Sequence, residues 1–291
     1  MGNTTFLRAK DVIQAVSFLK EYGSSAVLLA GGTDIMVQQN QYKLPEDTVF
    51  IGIEDIPEMK LIEARDDGIH IGSMVTDAEL IASDLVKENL YALYLAAKES
   101  ASPQVRNRAT IGGNVGTASP SGDLLTALVA LNAVAVVAGA EGEKRIPVEK
   151  VPVFVKKTCL EATDIIREFI VPRPEKNEGS CFIKMGKRKA MTISIVSAAA
   201  KIRLSDDGTA FANAVIAAGA VAPTVVRLTH LEEAIIGQPA TEETIAQNAE
   251  KSLLDVSPIT DLRATEWYRK EIVQVFSRRV LEGALKAIKE G

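Results

Sequence analysis

In the stretch DVIQAVSFLKEY, residues Val12, Ala15, Val16 and Leu19 fall on one helical face, and Gly23 ends the helix they predict. The unbroken apolar run AVLLA (26–30) reads as a buried strand feeding Gly31-Gly32, and TVFIGI (48–53) as the next strand, giving a βαβ-like first unit. Further strands are expected at 61–64 and 69–72. From 77 to 98 the period turns helical, carried by Leu80, Ile81, Leu85, Leu90, Leu93, Leu95 and Ala96. A glycine-rich stretch follows, then a helix from about Leu124, a strand over 133–138, and a strand DIIREFIV (164–171) that stops at Pro172.

PRPEKNEG (172–179), rich in proline, charge and glycine, reads as a linker. Beyond it the grammar changes. FIKMGKRKAM, SIVSAAAKIRL and AFANAVIAAGAV predict three strands joined by turns such as SDDG (205–208). RLTHLEEAIIG and TEETIAQNAEKSLLD predict two helices. The final segment sets Tyr268, Ile272, Phe276 and Val280 at helical spacing. The expected organisation is a first domain over 1–176, with subdomains of about 1–55 and 56–176, and an α+β domain over 177–291.

Composition narrows the function. The 291 residues suffice for two domains, and 47% hydrophobic with 24% charged residues describes a globular protein. No apolar run reaches the roughly 18 residues of a membrane helix, and LLTALVALNAVAVVAGA is interrupted by Asn132. No membrane span is expected. Residues 1–10 lack the basic and apolar blocks of a secretory signal, so a cytoplasmic protein is expected. Two isolated cysteines, Cys159 and Cys181, supply neither a thiolate zinc site nor an iron–sulfur cluster. His70, between Ile69 and Ile71, reads as a strand-face residue; His230, on an expected helix, reads as a packing or surface residue. No metal site is expected. The net charge of −5 and the lack of a basic stripe with aromatics argue against nucleic acid. The short basic run KMGKRK (184–189) reads first as a solvated turn.

Two diglycines carry the candidate chemistry: LLAGGTDIMV (28–37) and TIGGNVGTASPSGD (110–123). Glycine admits positive φ and close approach of another molecule to the peptide plane. Successive bare N–H groups ahead of a helix form an anion site, and Thr33 and Asp34 suit a helix cap before the apolar IMV. Neither GxGxxG in the first loop nor GxxxxGK[ST] anywhere is present. Two such segments in one domain predict a nucleotide cofactor held at both ends of its pyrophosphate. Asp123 then either accepts hydrogen bonds from cofactor hydroxyls or caps the helix starting near Leu124, and the two roles are compatible.

LLAGGTD, SPQVRNRATIGGNVGTASPSGD and FIKMGKRKAMTISIVSAA resemble the FAD-binding medium subunit of the molybdenum hydroxylase family, which includes xanthine, carbon monoxide and nicotinate dehydrogenases. AGAVAPTVVRL and EWYRKEIVQVFSRRVL are similar to that family's second domain, so the resemblance covers nearly the whole chain. It implies a two-subdomain FAD-binding domain of the vanillyl-alcohol-oxidase (PCMH) type, followed by a small sheet-plus-helices domain. It also implies an electron-transfer role. Electrons would arrive from [2Fe-2S] clusters of a small partner subunit, pass through FAD, and leave to NAD or another acceptor, while a molybdopterin-binding large subunit hydroxylates. A stand-alone flavin oxidoreductase and a cofactor-free assembly subunit are the alternatives.

The same resemblance implies site residues. Ala30, Gly31, Gly32, Thr33 and Asp34 would meet the phosphates through backbone N–H groups, flanked by Leu28, Leu29 and Ile35. Thr110, Ile111, Gly112, Gly113 and Asn114 would form the second clamp, and Asp123 would bind cofactor hydroxyls. Ile166 would touch the cofactor, and Lys184 would sit near the flavin, where a cation stabilises the anionic reduced ring. Gln104, Arg106 and Asn107 would shape the loop near the ring, with Arg106 equally able to serve as a structural ion-pair partner. Ser100 and Ser102 stand where some relatives carry an aromatic residue, so the ring would be covered differently here. No catalytic acid–base or nucleophilic residue is expected.

Overall fold

The computed structural model describes residues 5–188 and 191–290. Its first unit runs β1 (Thr5–Arg8), α1 (Val12–Tyr22), β2 (Ala26–Leu29), α2 (Ile35–Asn40) and β3 (Val49–Gly52). The three strands form a parallel sheet in the order β1-β3-β2. Asp11 caps α1 by accepting the Gln14 N–H at 2.7 Å. Strand β1 is too short to show a period in sequence; its register on β3 makes it a strand. The AVLLA run does form β2, but at the sheet edge and half-buried. The centre belongs to β3, whose Phe50 and Ile51 are buried.

Next come β4 (Ile62–Arg65), β5 (Gly68–Gly72), α3 (Asp77–Ala82), α4 (Asp84–Asn89), α5 (Tyr91–Glu99), α6 (Pro103–Arg106), α7 (Ile111–Gly116) and α8 (Asp123–Ala130). The strands β6 (Val134–Gly139), β7 (Gly142–Pro147), β8 (Pro152–Phe154), β9 (Lys157–Thr158) and β10 (Ile165–Val171) follow. An antiparallel sheet of order β4-β5-β10-β6-β7 results, with β8 and β9 as a separate hairpin. The single helix expected over 77–98 is three. Ser83 leaves helical geometry and caps α4 by accepting the Val86 N–H, and Leu90 breaks the next turn. His70 lies buried in β5, with Nε2 2.7 Å from Asp67 and Nδ1 3.2 Å from Glu168.

The remainder is an antiparallel sheet of β11 (Glu178–Met185), β12 (Val196–Leu204), β13 (Phe211–Gly219) and β14 (Val226–Arg227), with helices α9 (Thr229–Ile235), α10 (Glu242–Asn248) and α11 (Glu266–Glu290). The strand expected over 182–191 instead starts at Glu178, inside the expected linker, and ends at Met185. Lys189 of the basic run and Ala190 lie outside the described residues. His230 is exposed on α9, with Nδ1 2.8 Å from Asp255. Among the described residues no helix is long and apolar enough to cross a membrane.

Strands β12 and β13 are buried on both faces, and their alternation sorts side chains between two cores. Ala199 and Ala217 pack with Leu124, Leu125 and Leu128 of α8 and Leu93 of α5. Ala198, Ala200 and Ile216 pack with Val273, Phe276 and Val280 of α11. Small side chains let helices approach both faces. The packing is sealed by polar contacts: Ser180 accepts the Ala92 N–H at 3.1 Å, the Thr126 and Ser197 hydroxyls lie 3.2 Å apart, and Ala220 N–H donates to Pro120 at 2.6 Å.

A Cβ at Gly219 would lie 2.4 Å from Ser197 Oγ and 2.5 Å from Thr126 Oγ1. Gly219→Ala is therefore expected to lower unfolding stability by about 1–3 kcal/mol, read as a lower urea midpoint with unchanged far-ultraviolet dichroism. An unchanged midpoint would show that the hydroxyls simply step aside.

Candidate cofactor site

The first glycine segment links β2 to α2. Its two glycines do different work. A Cβ at Gly31 would lie 1.7 Å from the Arg108 carbonyl oxygen, so Gly31 is bare for its own chain. Gly32, at φ +78°, turns the backbone. No acceptor among the described residues takes the N–H groups of Gly31, Gly32, Thr33 and Asp34. Such a run of free donors ahead of a helix is an anion-binding arrangement. The expected side-chain cap is absent. Thr33 is exposed, and Asp34 stands at the cap position without capping α2. Its carboxylate instead accepts from Gln38 Nε2 at 2.6 Å and lies 3.8 Å from Lys156 Nζ. Leu28 and Ala30 pack against the first core, while Leu29 and Ile35 are half-buried.

The second segment differs in kind. Thr110 caps α7 by accepting the Gly113 N–H at 3.1 Å. Ile111 N–H donates to Val75, Gly112 N–H to Ser73 and Asn114 N–H to Thr110. Every N–H from Ile111 to Asn114 is thus taken within the protein. Asn114 Oδ1 accepts the Leu125 N–H at 3.0 Å and so caps α8. Ile111 is fully buried, and a Cβ at Gly112 would lie 2.7 Å from the Ser73 carbonyl oxygen. What this segment leaves open is bare surface. A Cβ at Gly113 meets only Thr110 Oγ1, at 2.9 Å, and one at Gly116 meets nothing within 4 Å.

Asp123 is the first residue of α8; the cap position belongs to Gly122. This corrects the capping role, because the Asp123 carboxylate points across to the C-terminal sheet. It accepts from Lys184 Nζ at 2.6 Å and from Ser194 Oγ at 2.6 Å. The Asp123 and Lys184 side chains are only 10% and 4% exposed. Burial pushes the Asp123 carboxyl up, against the Lys184 ammonium that pulls it down. Lys184 also donates to the Thr192 carbonyl at 3.3 Å, leaving one of its three N–H groups. Ile166 lies on β10 and packs into the main core. Arg106 donates to the carbonyls of Lys98 and Ser100 and makes no ion pair among the described residues. Ser102 caps α6 by accepting the Val105 N–H, and Asn107 follows that helix. Gln104 sits within it.

Two residues escaped the sequence reading. Ser194 alternates with isoleucines in an expected strand and gives no polar signal. Asp77, after Thr76 at a helix start, reads as an ordinary capping pair. Thr76 and Glu79 do form the capping box, but Asp77 is 1% exposed and its Oδ1 has no hydrogen-bond partner. Burial pushes its carboxyl up to about 6. Among the described residues no group of acidic, histidine and cysteine side chains could hold a metal.

Two outcomes are expected. Gly31→Ala drives a methyl into the Arg108 carbonyl and lowers the melting temperature, whereas Gly116→Ala leaves it unchanged or raises it by up to about 1 kcal/mol of stability. Equal melting temperatures for the two variants would remove the distinction drawn between them. The Asp77 carboxyl is raised in the folded state, so its favourable contribution is complete below pH 4 and is lost as pH climbs through about 6. Asp77→Asn, without cofactor, is therefore expected to exceed the wild type in stability at pH 7.5 by up to about 3 kcal/mol, with the gap closing by pH 4. Parallel pH–stability curves would refute this.

Residues 2–174 match the model described as the FAD binding domain in molybdopterin dehydrogenase. Residues 182–284 match the carbon monoxide dehydrogenase flavoprotein C-terminal domain. The xanthine dehydrogenase FAD-binding subunit of Escherichia coli O157:H7 is 31% identical over 97% of this chain and 96% of its own. The nicotinate dehydrogenase FAD-subunit of Eubacterium barkeri is 28% identical over 100% of this chain and 99% of its own. Among solved structures, carbon monoxide dehydrogenase from Hydrogenophaga pseudoflava, in a form lacking the Mo-pyranopterin moiety, superposes with a TM-score of 0.93 at 29% identity, covering 98% of both chains. With both domains matched in order along the chain, this protein belongs to the FAD-binding medium subunits of the molybdenum hydroxylases, an oxidoreductase family.

Proposed function

We propose that this subunit carries electrons from [2Fe-2S] clusters on a small partner subunit, through FAD, to NAD or another acceptor. Hydroxylation takes place on a molybdopterin-binding large subunit. The observation that carries this reading is the run of free N–H groups at Gly31–Asp34, in a chain that matches FAD subunits over nearly its full length.

The residues fit the cofactor. Four unpartnered backbone donors suit a pyrophosphate, because they supply positive potential without a side chain to reorganise. The face beside Gly116 is bare, and a Cβ at Gly113 would meet only the Thr110 hydroxyl at 2.9 Å. When bound, FAD supplies the conversion between two-electron and one-electron transfer. The chain's own residues bind, orient and tune. Gly31 to Asp34 hold the phosphates, and Leu28, Leu29 and Ile35 border them. Thr110 and Gly113 present the opposing bare wall, built on Ile111, Gly112 and Asn114, whose polar groups are already used in the fold. Asp123 receives a cofactor hydroxyl on the lone pairs that Lys184 and Ser194 leave free. With FAD bound, Lys184 would have one N–H left to offer the cofactor and would supply a cation to offset the negative charge that reduction adds. Ile166 backs the site from the core.

The test is anaerobic reduction of the purified complex. Bound flavin bands that bleach with the molybdenum enzyme's substrate and recover on adding NAD support the proposal. Bands that bleach with substrate and recover only with another acceptor replace NAD. Flavin reduced by a substrate without any partner subunit would identify a stand-alone oxidoreductase, and a complex without flavin would identify an assembly subunit. Lys184→Met is expected to leave Asp123 buried and unpaired, destabilise the chain by about 3–5 kcal/mol, and shift the flavin midpoint potential downward. An unchanged potential in folded Lys184→Met would remove the lysine from the flavin's surroundings.

A further inference from the structure

Asp77 is a carboxyl that the fold uses only in part, the Ser100 hydroxyl being its side-chain partner. It lies 1% exposed at the first position of α3, and Oδ1 has no hydrogen-bond partner. Its place is fixed. Its own N–H donates to the Ala109 carbonyl at 3.1 Å, and Thr76 bridges Thr110, so the start of α3 is tied to the start of the second glycine segment. The helix-capping work is done by Thr76 and Glu79. The groups facing Asp77 come from three further elements: the Ser100 hydroxyl after α5, the Arg106 guanidinium on α6 and the Asp123 carboxylate on α8. Asp123 is neutralised from the far side by Lys184. Asp77 therefore stands beside the paired carboxylate of the site, without a lysine of its own.

A buried polar atom without a partner is costly, and in native proteins it calls for a strain, a catalytic role, or a bound water, ion or other group. We propose that Asp77 is a further FAD-contacting residue, its free Oδ1 accepting a hydrogen bond from a hydroxyl or N–H of the bound cofactor. The inference rests on the cofactor site described above and adds a residue to it. An ionised acceptor is favoured by such a bond, so FAD binding lowers the Asp77 pKa and draws its proton off where the cofactor-free carboxyl is protonated and the bound one is not. The free carboxyl titrates at about 6. Binding then releases protons between about pH 5 and 6.5 and none at pH 8, and affinity falls as pH drops through that window.

The experiment uses the full chain freed of cofactor and titrated with FAD, with affinity from flavin fluorescence and proton release from calorimetry in buffers of different ionisation enthalpy. For the wild type, proton release near pH 5.5 and an affinity about tenfold lower at pH 5 than at pH 7.5 are expected. Asp77→Asn is expected to bind about 10- to 100-fold more weakly at pH 7.5, with a flatter pH dependence and no loss of melting temperature. Wild-type affinity and pH profile in folded Asp77→Asn overturn the proposal. So does wild-type binding without proton release, a result that stands even if the variant fails to fold. A wild-type chain that binds no FAD overturns the site reading itself and this inference with it.

Discussion

The buried Asp123–Lys184 pair is the constraint around which the rest is arranged. One member opens α8 and the other closes β11, so the ion pair spans the two halves of the chain. Two charges at that depth are stable only together and only if their remaining valences are satisfied. Ser194 and the Thr192 carbonyl satisfy part of them. What remains is a lone pair and an N–H held in fixed positions, which is what a cofactor site requires of its polar groups. Because one partner sits on a helix and the other on the C-terminal sheet, anything that shifts α8 against that sheet disturbs the pair.

The alternating alanines of β12 and β13 keep that from happening. Their period of two divides them between a core built on α5 and α8 and a core built on α11. The C-terminal sheet is therefore a shared wall. Ser197, Thr126 and Gly219 leave no room at the junction, so the placement of Lys184 opposite Asp123 is set by packing before any cofactor arrives.

The diglycines follow the same economy. Gly31 is bare because the Arg108 carbonyl passes beside it, and Gly112 because Ser73 does. Their neighbours differ: Gly32 turns the backbone at φ +78°, and a Cβ at Gly113 would meet only the Thr110 hydroxyl. Gly31 brings the first segment against the chain just before the second, and Gly112 seats the second segment on Ser73. The two segments also divide the chemistry. The first keeps its N–H groups free, whereas the second commits them to Val75, Ser73 and Thr110.

Much of this was legible in the sequence by itself. Helical periodicity found α1 and α11, which bury one face, and apolar runs found β3, β5 and β10, which are buried on both faces. Glycine spacing marked both segments of the site, because bare backbone leaves a compositional trace. It could not find β1, β8 or β9, which are too short for a period, nor show that the helix over 77–98 breaks at Ser83 and Leu90. Only the tertiary structure decided that Asp123 meets Lys184 instead of capping its helix, that Asn114 caps α8, and that Asp77 is buried with its Oδ1 unpartnered. The reason is physical. A local pattern reports which face of an element avoids water, whereas the partner of a buried polar group is chosen by residues 61 positions away, and no local pattern carries that distance.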